Sequence, residues 1–242
     1  MIMKILHLYY DIMNLYGDYA NVSAIERIFS KSNVEVSIDK LSFNDNADFS
    51  VYDFVFIGSG TEKNQKLVLK DFKKYSESFK AYIESGKPVL MTGNSFEMLG
   101  KSITDCNDKT YDGLNLFDFT VTEQNKTRVT GDIIYNAEFS DKPVVGFVNK
   151  CSEIKGIKTP LFSVVMGLSD NTDSKHEGIR YKNLFGTHVT GPLLIKNPYF
   201  MEYLAEIIKP DGCTLNTEYL VYEKKGYNVT LDELKKRMEN IS

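Results

Sequence analysis

Short apolar runs alternate with helix-period stretches from the start of this chain to Thr92, and that rhythm restricts the fold more than any other feature. Strand patterns occupy residues 4–10, 34–41, 52–57 and 88–92. Between them, Val22, Ala24, Ile25, Ile28 and Phe29 mark one face of a helix over residues 18–30. A second, polar-faced helix is predicted over about residues 66–85, ending at Gly86, a favourable left-handed cap, with Pro88 beyond. Read as βαβαβαβ, the segment predicts an α/β protein with a doubly wound, mostly parallel sheet. Functional loops then lie at the carboxyl ends of strands, and Gly58-Ser59-Gly60 and residues 92–95 are two of them.

After about residue 112 the rhythm shortens to strand-like runs at 116–121, 128–135, 144–149, 161–166, 178–181 and 184–189. Such spacing leaves no room for crossover helices, so antiparallel strands are predicted to extend the sheet. Asn197-Pro198 opens a helix to about Ile208. Residues 1–208 are therefore expected to form one domain. Residues 209–242 read as an extension with a peripheral helix marked by Leu231, Leu234 and Met238 behind a polar linker.

The net charge of −4 and the lack of a basic stripe argue against a nucleic-acid partner. Cys106, Cys151 and Cys213 are odd in number and widely spaced, which fits a reducing compartment. No signal-peptide pattern follows Met1, and no apolar run approaches the roughly 18 residues of a membrane span, so a cytoplasmic protein is expected. The glycosylation-like triplets at Asn21, Asn125 and Asn228 then carry no meaning. No His/Cys/Asp cluster has ligand spacing and no phosphate-binding loop is present, so no metal or cofactor is predicted.

Four stretches carry a resemblance: Asn14-Leu15-Tyr16-Gly17-Asp18, Thr127-Arg128-Val129-Thr130-Gly131-Asp132, Val145-Gly146-Phe147-Val148-Asn149 and Gly186-Thr187-His188-Val189-Thr190-Gly191-Pro192-Leu193-Leu194. In order and spacing they resemble the class I glutamine amidotransferases of the cobyric acid synthase (CobB/CobQ-like) type, most nearly the glutaminase subunits of lipid II isoglutaminyl synthases. The resemblance covers residues 1 to about 208 and implies a flavodoxin-like fold. It also implies glutamine as substrate, and a Mur-ligase-like partner that uses the released ammonia to amidate a peptidoglycan precursor.

Glutamine hydrolysis is acyl transfer, and it needs a thiolate, an imidazole base and an oxyanion hole. The family's Cys-Gly-Gly-Tyr-Gln falls on Gly93-Asn94-Ser95-Phe96-Glu97, so the nucleophile position is Gly93, which has no side chain. The family's Gly-Thr-Tyr-Leu-His-Gly falls on residues 186–191, placing Thr190 at the base position and His188 two residues earlier. His188 reads either as a relocated base or as a packed or solvent-bonded side chain. Asn94 with Glu97 has capping-box spacing, set against a substitute catalytic role for Ser95 or Thr92. Gly58, Ser59 and Gly60 match the oxyanion loop, with the following acidic position shifted to Thr61-Glu62. Arg128 matches the arginine expected to hold the substrate's α-carboxylate, and a surface ion pair is its other reading. Cys151 is near in sequence but outside the elbow, and His7 and His176 carry no motif. The combined expectation is a glutaminase-like subunit with neither nucleophile nor base, serving as a binding, scaffold or regulatory partner. The alternative is an active amidotransferase with a rearranged nucleophile such as Ser95.

Overall fold

The computed structural model describes residues 2–124 and 128–241; Asn125 and Thr127 of the sequence reading lie outside them. The strands predicted from the opening alternation form as β1 (Ile2–Leu8), β2 (Glu35–Leu41), β3 (Phe54–Ile57) and β4 (Val89–Thr92). The first helix, α1 (Tyr19–Lys31), buries the apolar face assigned to it. The second predicted helix is two, α2 (Glu62–Phe72) and α3 (Ser76–Glu84), separated by a 3-10 turn where Tyr75 packs inward against Phe49 and Phe72. α2 begins earlier than its apolar pattern because Thr61 caps it, accepting the Asn64 N–H at 3.1 Å.

The βαβαβαβ reading fails between β2 and β3. That connection carries only a 3-10 turn at Phe49–Val51, because its Ser, Asn and Asp side chains satisfy local backbone groups, as when Asp45 accepts the Ser42 N–H and Asp48 the Ser50 N–H. After β4 the chain turns into a 3-10 segment, Gly93–Leu99.

The second half supplies β5 (Ser102–Thr104), β6 (Thr110–Asp112), β7 (Thr120–Glu123), β8 (Val129–Ala137), β9 (Ser140–Lys150), β10 (Ser152–Lys155), β11 (Pro160–Met166), β12 (His176–Tyr181), β13 (Leu184–Thr187) and β14 (Val189–Thr190). One ten-stranded sheet runs β14-β9-β8-β11-β12-β13-β4-β3-β1-β2. From β2 to β13 its neighbours are parallel, and from β13 to β14 they are antiparallel, as the change of rhythm predicts. In a smaller sheet, β10-β7-β5-β6, only β7 overlaps a predicted strand, the run at 116–121; β5, β6 and β10 are three or four residues long and leave no periodic pattern.

β3 and β4 are buried on both faces, which is why they read as continuous apolar runs, whereas the edge strand β2 is partly exposed and alternates. Ile5, Phe54, Phe56, Leu90 and Phe185 face α1 and α5 (Pro198–Ile208), which follows the single turn α4 (Leu193–Lys196). Leu6, Val55, Ile57, Val89 and Met91 face α2 and α3. α6 (Val221–Ile241) begins ten residues before its first predicted apolar marker and lays Tyr227, Leu231 and Leu234 on Ile134 and Val145. The outer edge of β9 is closed piecewise. β14 pairs with Phe147 and Val148, Asn197 takes both the Val145 N–H and its carbonyl at 2.8 Å, and the Tyr227 hydroxyl donates to the Pro143 carbonyl.

Candidate functional site

The carboxyl ends of β3, β4 and β13 converge with the start of β8 and the end of β9 on one pocket. Its lining includes Ser59, Gly60, Gly93, Asn94, Arg128 and Thr190, so residues the sequence placed in one site share one concavity. Gly93 follows β4 with φ +60°, a conformation that glycine takes without strain. A Cβ there would overlap the Ser59 Cβ, with Ser59 Cα at 3.1 Å and Oγ at 3.2 Å. The side chain of Ser59 therefore stands where a side chain at position 93 would begin.

The loop around Ser59 is held from below by Asp18, which the sequence reading quoted in a motif but gave no role. One oxygen, Oδ2, accepts the Ser59 N–H at 2.7 Å, the Ser59 hydroxyl at 2.8 Å and the Thr92 hydroxyl at 2.8 Å. Burial raises the Asp18 carboxyl above its usual range, opposed by these hydrogen bonds. The packing is tight enough that a Cβ on Gly58 would run into the Met13 carbonyl. The Gly60 N–H is also taken, by the Asn94 Oδ1 at 3.0 Å. The Ser59 and Gly60 amides of the glycine-rich loop are thus bonded to the chain's own side chains.

The capping-box expectation does not hold. Asn94 caps the loop across the pocket, and Glu97 turns inward to Gln65, Ser152 and His188. Ser95 is fully buried and donates to the Thr92 and Ile57 carbonyls, away from the cavity, while the Thr92 hydroxyl is spent on Asp18. Thr190 lines the pocket, and its hydroxyl donates to the Phe147 carbonyl at 3.2 Å.

His188 is buried and packed against Phe96, as one of its two sequence readings has it, and it is in addition bonded to carboxylates on both sides. The strand breaks at this residue, between β13 and β14, and the ring turns into the interior with Nε2 at 2.9 Å from Glu97 and Nδ1 at 3.2 Å from Glu177. Burial alone would lower its pKa, but hydrogen bonds to Glu177 and Glu97 prevail and raise it. Burial likewise works to raise Glu97, and the same imidazole with Ser152 and Gln65 holds it below the ordinary value. The result is a buried imidazole held between two carboxylates at the floor of the pocket, an arrangement that favours its protonated form. Asp170 lies beside Glu177, and burial with that neighbour's charge pushes its carboxyl up to about 7. Asp170, Glu177 and His188 are close enough to share a cation, but both ring nitrogens of His188 are already bonded to carboxylates. A clue to this network was present: Glu97 and His188 replace the neutral Gln and Tyr of the resembled family.

Arg128 reaches the mouth of the pocket and is bound on both arms. One nitrogen meets the Glu62 carboxylate, the other donates to Asn149 at 2.9 Å, and Asn149 in turn donates to the Tyr16 hydroxyl at 3.0 Å. The Cys151 thiol donates to the same Glu62 oxygen at 3.2 Å; burial first and then Glu62 push its pKa up to about 12, leaving it unreactive. About 20 Å³ of cavity remains, room for one water. His7 is buried beside Phe56 and Tyr10, with burial pushing its pKa down to about 4, and His176 starts β12; neither lines this pocket.

Residues 4–198 match the CobB/CobQ-like glutamine amidotransferase domain. The chain is 33% identical over 204 residues to the subunit GatD of lipid II isoglutaminyl synthase (glutamine-hydrolyzing) from Staphylococcus aureus, covering 84% of this chain and 83% of that protein. Against the subunit of the same name from Streptococcus pneumoniae it is 32% identical over 198 residues, 81% and 76% of the two chains. Among solved structures, a glutamine amidotransferase from Thermotoga maritima superposes with a TM-score of 0.52 at 13% identity, over 99% of this chain and 92% of that one. The glutaminase domain of Trypanosoma brucei CTPS with bound acivicin gives 0.52 at 11%, over 88% and 98%. At such identities these two structures speak to the fold.

Proposed function

This chain belongs to the CobB/CobQ-like glutamine amidotransferase family, and from that premise we propose that it is a glutaminase-like subunit that has lost glutamine hydrolysis and acts as a binding or scaffold partner of a Mur-ligase-like protein in cell-wall precursor amidation. The single observation that carries the reading is the seat of Ser59 against Gly93. Hydrolysis needs an attacking atom above the elbow, and that space holds a serine side chain bonded to Asp18.

Two further features support it. The loop amides that would meet a developing oxyanion are bound to Asp18 and Asn94, so they offer no preorganised donors. Thr190, at the family's base position, has no group that titrates near neutrality. Loss of both nucleophile and base removes a cooperating unit, which in hydrolases costs about 10⁴-fold or more. Ser95 as a substitute nucleophile is disfavoured by its burial and its two carbonyl partners. The partner is argued from the relatives, whose names describe a subunit of a glutamine-hydrolysing synthase.

The test is an ammonia-release assay on the purified chain, alone and with a Mur-ligase-like protein from the same organism, paired with size-exclusion chromatography of the mixture. The expected result is co-elution with no ammonia above the enzyme-free control. Glutamine-dependent ammonia release would overturn the loss of hydrolysis, and separate elution would overturn the scaffold role.

A further inference from the structure

We infer that Glu62 is a specificity-determining residue of the pocket: its carboxylate occupies Arg128 as a resident ligand, so the pocket accepts a small amino-acid carboxylate only when Glu62 is displaced. The inference rests on the reading above for the identity of the pocket and is independent of whether the chain turns over glutamine.

The geometry is that of a bound carboxylate supplied from within the chain. Thr61 caps α2 and thereby fixes its first turn over the cavity, so that Glu62 projects onto Arg128. Arg128 has its other arm on Asn149, and Asn149 is braced by Tyr16, so both terminal nitrogens of the guanidinium are already engaged. The Cys151 thiol donates to the same Glu62 oxygen, completing the shell a ligand carboxylate would need. The other nearby acid, Glu123, is engaged by Lys66 and does not compete for Arg128. With Glu62 in place the remaining space holds a water, not an amino acid.

Displacement is feasible because the pair is half open to solvent. The Arg128 and Glu62 side chains are 41% and 31% exposed, and ion pairs at such sites are weakly held. Removing Glu62 frees the guanidinium, opens the mouth of the cavity and takes away one of the two main influences that keep the Cys151 thiol protonated. Cys151 is therefore a built-in reporter, with the half-buried Cys106 and Cys213 as references in the same chain.

The experiment is iodoacetamide labelling of the full chain, followed by peptide mass spectrometry, for the wild type, Glu62→Ala, and Glu62→Ala with Arg128→Ala, each with and without millimolar L-glutamate. In Glu62→Ala, labelling of Cys151 relative to the other two cysteines should rise about tenfold, the effect of one unit of thiol pKa. L-glutamate should reverse that rise, should do nothing to the wild type, and should fail once Arg128 is also removed. If all three cysteines label faster together the variant has loosened, and Glu62→Gln, which keeps the side-chain volume, then carries the same comparison. Unchanged relative labelling of Cys151, or equal protection of the wild type by L-glutamate, would overturn the inference. Ammonia release by the wild type would overturn the proposed function and leave this inference standing.

Discussion

Ser59 and Gly93, on neighbouring strand-end loops, share one side-chain volume: the serine fills it and the glycine leaves it free. The two positions are therefore coupled. Gly93→Cys puts a side chain at φ +60° and drives its Cβ into Ser59, so it should destabilise by about 2–4 kcal/mol, combining backbone strain with overpacking. Ser59→Gly in the same chain should recover the overpacking part. Urea midpoints for the two single variants and the double variant measure that coupling, and additive losses would show that the volume is not shared.

Activity should not return with the thiol alone. Gly93→Cys with Ser59→Gly restores room for a nucleophile, yet Thr190 supplies no base, so ammonia release should stay at background. Adding Thr190→His should bring a weak, measurable rate. Turnover by the double variant without the histidine would show that a different group acts as base.

Glu97 and His188 should behave as one unit in a double-mutant cycle. Glu97→Gln leaves the buried imidazolium short of a carboxylate and should cost about 3–5 kcal/mol. His188→Tyr strands Glu97 and Glu177 in the same way. The double variant restores the neutral pair of the resembled family and should cost less than the sum of the two, with a coupling of up to about 3 kcal/mol. Chemical denaturation of the three variants gives the coupling directly, and a value near zero would mean the contact is incidental.

The same network sets a pH dependence whose sign can be worked out. His188 has a raised pKa in the folded chain, so its contribution is complete below the unfolded value of about 6.5 and is lost as pH rises through the folded value. Asp170, pushed up to about 7, adds a loss in the same direction as pH climbs from about 4 to 7. Glu97, held low, works oppositely, and its contribution disappears only as pH falls through its depressed value. Stability should therefore decline from mildly acidic to alkaline pH. Replacing His188 by Gln should flatten the decline above about pH 6.5, as seen in urea midpoints across that range. An unchanged slope would place the titration elsewhere.

Wild-type chain should show no shift in Tm with millimolar glutamine, because Glu62 already holds Arg128. Arg128→Ala should change stability by no more than about 1 kcal/mol, as for other exposed pairs. A glutamine-dependent rise in Tm that vanishes in Arg128→Ala would mean the amino acid displaces Glu62 unaided.

The parallel half of the sheet could be read from periodicity because its central strands β3 and β4 are buried on both faces and its edge strand β2 alternates. The loops at Gly58-Ser59-Gly60 and residues 92–95 followed from strand ends, and Thr190 was joined to them through the resemblance. The occupants of that pocket could not be read in the same way. Glu97 and His188 lie 91 residues apart, Glu62 and Arg128 66, and a pairing at that separation leaves no local pattern. Asn94 and Glu97 illustrate the converse: their spacing fits a local cap, but each found a stronger partner across the pocket, which local spacing cannot foresee. The break at His188 belongs to the same class, since the ring's two carboxylates decide it rather than strand propensity.

Asn197 makes with a single carboxamide the paired bonds to Val145 that a further strand would make. Where an open sheet margin invites recruitment of another chain through its backbone, this one presents a completed surface. The antiparallel flank is thus protected from runaway self-association, and a protein meeting the molecule there has to recognise side chains, a contact that can be tuned by point substitution and discriminated between close paralogues.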